Sequence, residues 1–161
     1  MAFGTARPAP PPRVRKLLLA TDLSEASTAA TEEAFELAGR LGASLLIVSV
    51  IDPGSLRLPG GRYHARMDQV RARREAMAQA LVERGRDAGI AVSFLVWDGD
   101  PGDMIVSAAE AERADMVIVG SHGRGAVGRL FIGSVSEHVV RHAPCPVLVV
   151  RPHEVAPAPL A

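Results

Sequence analysis

The chain has 161 residues, of which 48% are hydrophobic, so it is long enough to bury the core of a single domain. The 18 basic and 18 acidic residues cancel. This balance argues against a protein built to hold nucleic acid, which normally carries an excess of basic residues. The single cysteine, Cys145, excludes an internal disulfide and fits a reducing, cytoplasmic setting.

The two ends of the chain differ in composition from its middle. Residues 1–13 are rich in proline and lack the apolar core of a secretory signal, so we expect a disordered tail. Residues 152–161 are predicted to form a second flexible tail, which leaves 14–151 as one folded domain. No apolar run approaches the roughly 18 residues that a membrane span requires.

The first half of the domain alternates apolar runs with amphipathic segments. Arg15–Thr21 and Ser44–Asp52 have the continuous apolar character of buried strands. Between them, alanines and leucines at helical spacing predict a helix that is capped by Ser24 and ended by Gly42. After a loop, Pro53–Gly61, the charged segment His64–Arg86 predicts a long solvated helix that ends at Gly89.

The second half repeats the alternation. A third strand, Ile90–Gly99, precedes a helix for which Asp100 is the expected N-cap and Pro101 the first residue. The remaining elements are a fourth strand, a short helix and a fifth strand: Asp115–Gly120, Ser134–Ala143 and Pro146–Arg151.

Strands that are apolar throughout and alternate with helices indicate an α/β fold, in which a five-stranded parallel sheet is sandwiched by helices. Ligands of such sheets bind beyond the carboxyl ends of the strands, where the winding reverses. The fourth strand ends there in a glycine-rich stretch.

That stretch, Ser121–Ile132, separates the fourth strand from its helix by more residues than the roughly 2–6 of an ordinary connection. Ser134 and Glu137 have the spacing of a capping box, which places a helix N-terminus directly after Gly133. Backbone amides at such an end attract anions, and glycine removes the side chains that would keep a phosphate away. The stretch is therefore predicted to bind phosphate.

Two common phosphate motifs fit poorly. The Walker A pattern is absent, and the only lysine is Lys16. The dinucleotide pattern GxGxxG occurs at Gly123, Gly125 and Gly128, but the next strand ends in Arg151 and not in an acidic residue. A dinucleotide- or flavin-binding enzyme that uses this GRGAVG loop stays an alternative.

A third pattern matches without a gap, since Gly120, Gly123 and the pair Gly133–Ser134 read G-x2-G-x9-G-S. This pattern resembles the nucleotide-binding signature of the universal stress protein family, in its ATP-binding branch. TDLSEAS after the first strand, SVID at the end of the second and the closing PCPVLVV are also similar to that family.

The resemblance implies a flavodoxin- or Rossmann-like winding, of the kind also found in adenine nucleotide alpha hydrolases, with strand order 3-2-1-4-5. It also implies a nucleotide site at the strand ends. Adenine and ribose are expected at the first of two groups of residues: Ala20, Thr21, Asp22, Val50, Val119 and Gly120. The phosphates are expected at the second: Gly123, Arg124, Gly133, Ser134 and Val135.

The cofactor that the resemblance implies is ATP, accompanied by Mg²⁺ or Mn²⁺. The function is then that of a nucleotide-dependent stress-response regulator, with an unnamed protein partner and without an assigned catalytic residue; slow ATP hydrolysis is compatible with it. Relatives pair through their last strand, which predicts a homodimer through Pro146–Arg151. A nucleotide-free interaction module with the same fold remains the other alternative.

Other polar residues have simpler interpretations. His138 and His142 are four residues apart on one helix, but no third metal ligand accompanies them. Cys145 is expected to be a buried, inert thiol. We interpret the pair Asp98 and Asp100 as structural, and the arginine-rich segment Arg62–Arg74 as a solvated helix face.

Overall fold

The computed structural model describes residues 13–56, 62–121 and 132–152. The predicted tails, 1–13 and 152–161, lie almost wholly outside these residues. Two further segments also lie outside them: residues 57–61, at the end of the loop predicted after the second strand, and residues 122–131, which make up most of the glycine-rich stretch.

Strands and helices alternate along the described chain. The five strands are β1 (Lys16–Ala20), β2 (Ser44–Ile51), β3 (Val92–Asp98), β4 (Met116–Gly120) and β5 (Val147–Val150). The four helices are α1 (Thr28–Leu41), α2 (Tyr63–Asp87), α3 (Pro101–Ala111) and α4 (Ser134–His142). Short 3-10 turns precede α1 and α2, at Glu25–Ser27 and Pro53–Leu56.

The strands form one parallel sheet in the order β3-β2-β1-β4-β5. The predicted fold class and strand order are confirmed. In the register of the central strands, Ala20 lies opposite Val48 of β2 and opposite Val119 of β4. The carboxyl ends of β1 and β4 are therefore neighbours, at the point where the chain changes its direction of winding.

The core has two layers, because alternate residues of each strand face opposite sides of the sheet. Leu17 and Leu19 pack on the side of α1 and α2, whereas Leu18 and Ala20 pack on the side of α3 and α4. Every residue of β1 after Lys16 is buried. Burial on both faces explains why the strands are apolar runs without alternation.

The helix ends follow from local sequence. Gly42 ends α1 with a φ of 61°, and Gly89 follows α2 with a φ of 72°, a region that residues with a side chain rarely adopt. The Asp100 carboxylate accepts the Asp103 amide at 3.0 Å, as predicted for an N-cap. None of the described helices has the length and apolar content to cross a bilayer.

Asp115 joins β1 to β4 at the amino end of the sheet. Its carboxylate accepts the main-chain amides of Arg15 at 2.8 Å and Lys16 at 2.9 Å. These two bonds hold the pKa of the Asp115 carboxyl below its usual value, because they favour the ionised form.

Gly85 marks a close approach of α2 to β3. A Cβ at this position would collide with the Val92 side chain and lie 3.0 Å from the Ile90 carbonyl oxygen. At Gly39, inside α1, a Cβ would lie 3.8 Å from the Ile90 side chain, an ordinary contact.

We therefore expect opposite effects from two Gly→Ala changes. Gly85→Ala should destabilise the protein by about 1–3 kcal/mol through overpacking, although alanine favours helix. Gly39→Ala should stabilise it by about 0.5–1 kcal/mol. Urea unfolding of both variants measures the difference, and a stable Gly85→Ala variant would contradict the close packing of α2 on β3.

Asp115→Asn should lower stability near neutral pH and have little effect in acid. Because the folded-state pKa of Asp115 lies below its unfolded value, the carboxylate stabilises the fold above the unfolded pKa. That contribution is lost as the pH falls through the folded pKa. The melting temperatures of the two proteins should therefore converge as the pH falls from 7 to 2. A difference that stays constant would show that ionisation of Asp115 does not contribute to stability.

Candidate functional site

A crevice is expected where β1 and β4 end side by side. The chain leaves β1 toward α1, on one face of the sheet, and leaves β4 toward α4, on the other face. The loops after the two strands therefore diverge, and the space between them is the usual ligand site of an open parallel sheet.

The turn after β1 is ordered by its own polar side chains. The Thr21 amide donates to the Val48 carbonyl at 3.0 Å and so continues the pairing of β1 with β2. The Thr21 hydroxyl accepts the Leu23 amide and donates to the Ser27 hydroxyl, each at 2.9 Å. Leu23 has a φ of 60°, and this network holds it in that unfavourable conformation.

Asp22, predicted to contact the nucleotide, already has a structural role. Its Oδ1 accepts the Ser24 amide at 2.9 Å and the Ser24 hydroxyl at 2.6 Å. The predicted capping of α1 by Ser24 is wrong, because a 3-10 turn comes first and the Ser24 side chain bonds Asp22. α1 begins only at Thr28.

The apolar residues predicted beside adenine belong largely to the core. Ala20, Val50 and Val119 have relative exposures of 8%, 8% and 2%, and they pack in the layer between the sheet and α3 and α4. What they offer at the crevice is therefore mainly backbone and the edges of small side chains.

The first turn of α4 is bonded to the end of β4. The Gly133 amide donates to the Ser121 carbonyl at 3.0 Å, and the buried Ser136 hydroxyl donates to the Gly120 carbonyl at 2.6 Å. The Ser121 amide in turn donates to the Val150 carbonyl of β5 at 2.8 Å. Both ends of the glycine-rich stretch are thus held together beside the sheet.

The predicted capping box at this helix is wrong. Gly133 is the N-cap, no side chain in the described part of the chain caps the helix, and Ser134 is the first helical residue. Glu137 lies too far along to reach back, and its carboxylate bonds Arg141 at 2.7 Å. Among the described residues, no side-chain acceptor meets the start of α4, and the Gly133 amide already donates to the Ser121 carbonyl.

Two of the predicted phosphate residues, Gly123 and Arg124, lie outside the described residues. Ser134 and Val135 are exposed at the first turn of α4. The described part of the predicted phosphate site is thus the pair Ser134–Val135, directly after Gly133.

Arg74 is a residue that sequence reasoning missed. The prediction that the arginine-rich face of α2 is solvated is wrong for Arg71 and Arg74, because both side chains bond carbonyl groups near strand ends. Arg74 Nη1 donates to the Ser49 hydroxyl at 3.0 Å and to the Val50 carbonyl at 2.6 Å. Arg71 donates to the Val96 carbonyl at 2.8 Å and pairs with Asp98. Ser49, a polar residue inside the apolar run of β2, was the available signal.

The remaining candidates have structural partners. His138 Nε2 lies 3.0 Å from Asp103 Oδ1, and the His142 ring stacks on His138 with 4.3 Å between centroids. Within the described ranges, no three metal-binding side chains are grouped together. Burial raises the pKa of the half-buried Cys145 thiol, which keeps it protonated near neutral pH.

A shallow groove between α1 and α2 begins at the turn after β1, with Leu23, Ser24 and Ser27 in its wall. Its lining includes Met77, Leu81 and Arg84. Arg84 donates two bonds of 2.7 Å to Glu32, lowers the pKa of that carboxyl, and lies over the Phe35 ring at 4.2 Å. The charged groups of this groove already pair with each other.

Known proteins share this architecture and sequence. A universal stress protein of Thermus aquaticus is 40% identical over 144 residues, which cover 85% of this chain and 98% of the relative. The structure of the universal stress protein UspA from Lactobacillus plantarum is 26% identical, with a TM-score of 0.72 over 87% of this chain and 99% of that one.

A further solved structure is a universal stress protein in complex with cAMP. It is 27% identical to this chain, with a TM-score of 0.65, and the match covers 87% of this chain and 98% of the other. The sequence model of the universal stress protein family matches residues 13–151. The chain therefore belongs to the universal stress protein family.

Proposed function

We propose that this chain binds an adenine nucleotide, with ATP as the expected form, between the carboxyl ends of β1 and β4. Its role is that of a nucleotide-dependent regulator in a stress response. The observation that carries the proposal is the start of α4, which no described side chain caps and which Gly133 and Ser136 bond to the end of β4.

The phosphates would lie against the first turn of α4. The amides of Ser134 and Val135 and the Ser134 hydroxyl are the donors nearest to the helix start, where the helix dipole favours negative charge. Gly123 and Arg124 complete this group in the proposal, and Mg²⁺ or Mn²⁺ would offset part of the triphosphate charge. The Gly133 amide donates to the Ser121 carbonyl and so joins the residues on either side of the loop, which makes its contribution structural.

The base and ribose would lie along the ends of the three central strands. Thr21 and Asp22 follow β1, Val50 lies near the end of β2, and Val119 and Gly120 end β4. Asp22 would accept a ribose hydroxyl, since an ionised carboxylate is an acceptor and the Ser24 bonds hold this one in the turn directly after β1.

The relative crystallised with cAMP supports the choice of an adenine nucleotide as the ligand class. ATP as the specific ligand rests on the G-x2-G-x9-G-S pattern. We assign no catalytic residue, so the nucleotide acts as a signal that changes the state or partner of the protein. The single cysteine fits a cytoplasmic location.

We further propose that the protein forms a homodimer through Pro146–Arg151. β5 pairs with β4 on one side only, and its four residues are all half-buried and apolar. The carbonyls of Pro146 and Val150 accept hydrogen bonds from the amides of Val117 and Ser121. The main-chain groups of Val147 and Val149 therefore point away from β4. An apolar edge of this kind is a hazard unless a partner covers it.

The nucleotide proposal predicts a phosphate-specific defect in the double variant Gly133→Val with Ser134→Ala. The backbone at Gly133, with φ −59° and ψ 155°, accepts valine, so the fold should persist. By isothermal titration, ATP affinity should fall about tenfold or more, toward that of adenosine, because charge-assisted bonds are lost.

The control is Ser44→Ala, which removes a hydroxyl bond to the Arg15 carbonyl at the opposite end of the sheet. Its ATP affinity should equal that of the parent protein. If the double variant binds ATP as tightly as this control does, the phosphate site lies elsewhere.

The dimer proposal predicts that Val149→Pro is a folded monomer. Proline removes an outward-facing amide from β5 and leaves the bonds to β4 intact, which is tolerated at a sheet edge. Val96→Pro is the matched control, because Val96 is also half-buried and faces outward, on the β3 edge. The molar mass from light scattering should equal one chain for Val149→Pro and two chains for Val96→Pro and for the parent protein. A parent protein with the mass of one chain would refute the interface.

A further inference from the structure

The sheet has two open edges, and among the described residues a side chain covers the main chain of only one. β3 pairs with β2 alone, and β5 pairs with β4 alone. β3 is the longer edge, with seven residues against four in β5, and five of its residues are half-buried. An edge of this kind presents unpaired amides and carbonyls to a second chain, so natural proteins either cover it or pair it.

The outward groups of β3 follow from its pairing with β2. Successive residues of a parallel strand direct their backbone groups toward opposite neighbours. The Ala91 carbonyl, directly before β3, accepts the Leu45 amide of β2 at 2.9 Å, so the odd-numbered residues of β3 face β2. The amides and carbonyls of the even-numbered residues, among them Phe94 and Val96, therefore point away from the sheet.

Arg71 of α2 occupies one of these outward groups. Its Nη1 donates to the Val96 carbonyl at 2.8 Å, and its Nη2 pairs with the carboxylate of Asp98, the last residue of β3. α2 packs on the face of β3, so the Arg71 side chain passes from that face to the edge. A second strand would have to displace the guanidinium from the Val96 carbonyl and take both charges of the ion pair out of water.

β5 has no comparable cover in the described part of the chain. Its outward main-chain groups are those of Val147 and Val149, and no side chain of residues 13–56, 62–121 or 132–152 bonds them. The strand is also apolar throughout, whereas β3 ends in a charged residue. The two edges therefore differ in how accessible their main chain is to a partner strand.

A second copy of β3 is the partner that the uncovered edge would fit. The midpoint of Val92–Asp98 is Leu95, so two copies related by a two-fold axis at this residue would pair in antiparallel fashion over the whole strand. Asp98 of each copy would then lie opposite Val92 of the other, which keeps the two carboxylates apart. In the same register the Val96 carbonyl, which Arg71 occupies, would lie at the pairing position of Phe94.

We propose that the β3 edge is a latent pairing surface for a second copy of this chain, and that Arg71 keeps it closed. The inference goes beyond the proposed function. It depends neither on nucleotide binding nor on pairing at β5, and it explains why an edge longer than β5 is compatible with a discrete particle. Arg71 is in this respect a residue that restricts assembly to one edge of the sheet.

The test measures the molar mass of Arg71→Met by light scattering on the full chain over a range of protein concentrations. Methionine keeps most of the apolar stem and removes the donors, so the Val96 carbonyl is released. We expect the mass to be about twice that of the parent protein or more, because each released edge accepts one partner. If the parent already pairs at β5, the assembly becomes open-ended and its mass should rise with concentration.

Arg73→Met is the matched control. Arg73 is an exposed residue of the same helix and makes no hydrogen bond or ion pair within the described ranges, so its removal changes the charge equally and leaves the edge covered. Its mass should equal that of the parent. Arg71→Lys, which keeps a cation at the edge, should also retain the parent mass.

The double variant Arg71→Met with Val96→Pro identifies the edge that pairs. Proline removes an outward amide of β3, so the double variant should return to the parent mass, or to a soluble protein if Arg71→Met alone precipitates. The inference is overturned if Arg71→Met keeps the parent mass, if Arg73→Met gains mass equally, or if Val96→Pro does not reverse the gain. A parent with the mass of one chain refutes pairing at β5 alone, and Arg71→Met is then expected to have the mass of two chains.

Discussion

The attachment of α4 to the end of β4 determines the geometry of the crevice. Ser136, buried in the first turn of the helix, donates to the Gly120 carbonyl, and the Gly133 amide donates to the Ser121 carbonyl. These bonds hold the start of the helix beside the sheet, and no side chain of residues 13–56, 62–121 or 132–152 caps it. A side-chain cap would occupy one of these amides, and a detached helix would not direct them toward the crevice.

The polar residues around the crevice serve the fold as well as the proposed ligand. Thr21 and Asp22 hold the turn after β1, in which Leu23 has an unfavourable backbone conformation. Arg74 bonds the buried Ser49 hydroxyl near the end of β2. A nucleotide would therefore enter a site whose polar groups are already ordered, which reduces the entropy that binding costs.

The sequence predicted the layered fold because its signals are local and mutually consistent. Continuous apolar strands, Gly42 and Gly89 at helix ends and Asp100 as a cap each follow from a residue and its near neighbours. The strand order came from the resemblance to the family and is confirmed by the structure. The extents of the domain and its tails stay predictions.

The wrong predictions concern side chains whose partners are distant or ambiguous along the chain. Ser134 and Glu137 have capping spacing, but the helix starts one residue earlier than that motif requires, and Arg141 is a closer partner for the carboxylate. Arg71 and Arg74 look like surface residues because the carbonyls they bond belong to strands about 25 residues away. Spacing rules describe neighbours in sequence and give no sign of such contacts.

The most direct test of the central claim is an amide-resolved NMR titration of the protein with ATP. The account predicts that the largest shifts occur at Ser134 and Val135, with further shifts at Thr21, Asp22 and Val50. Shifts confined to the groove between α1 and α2, or no shifts at millimolar ATP, would contradict it.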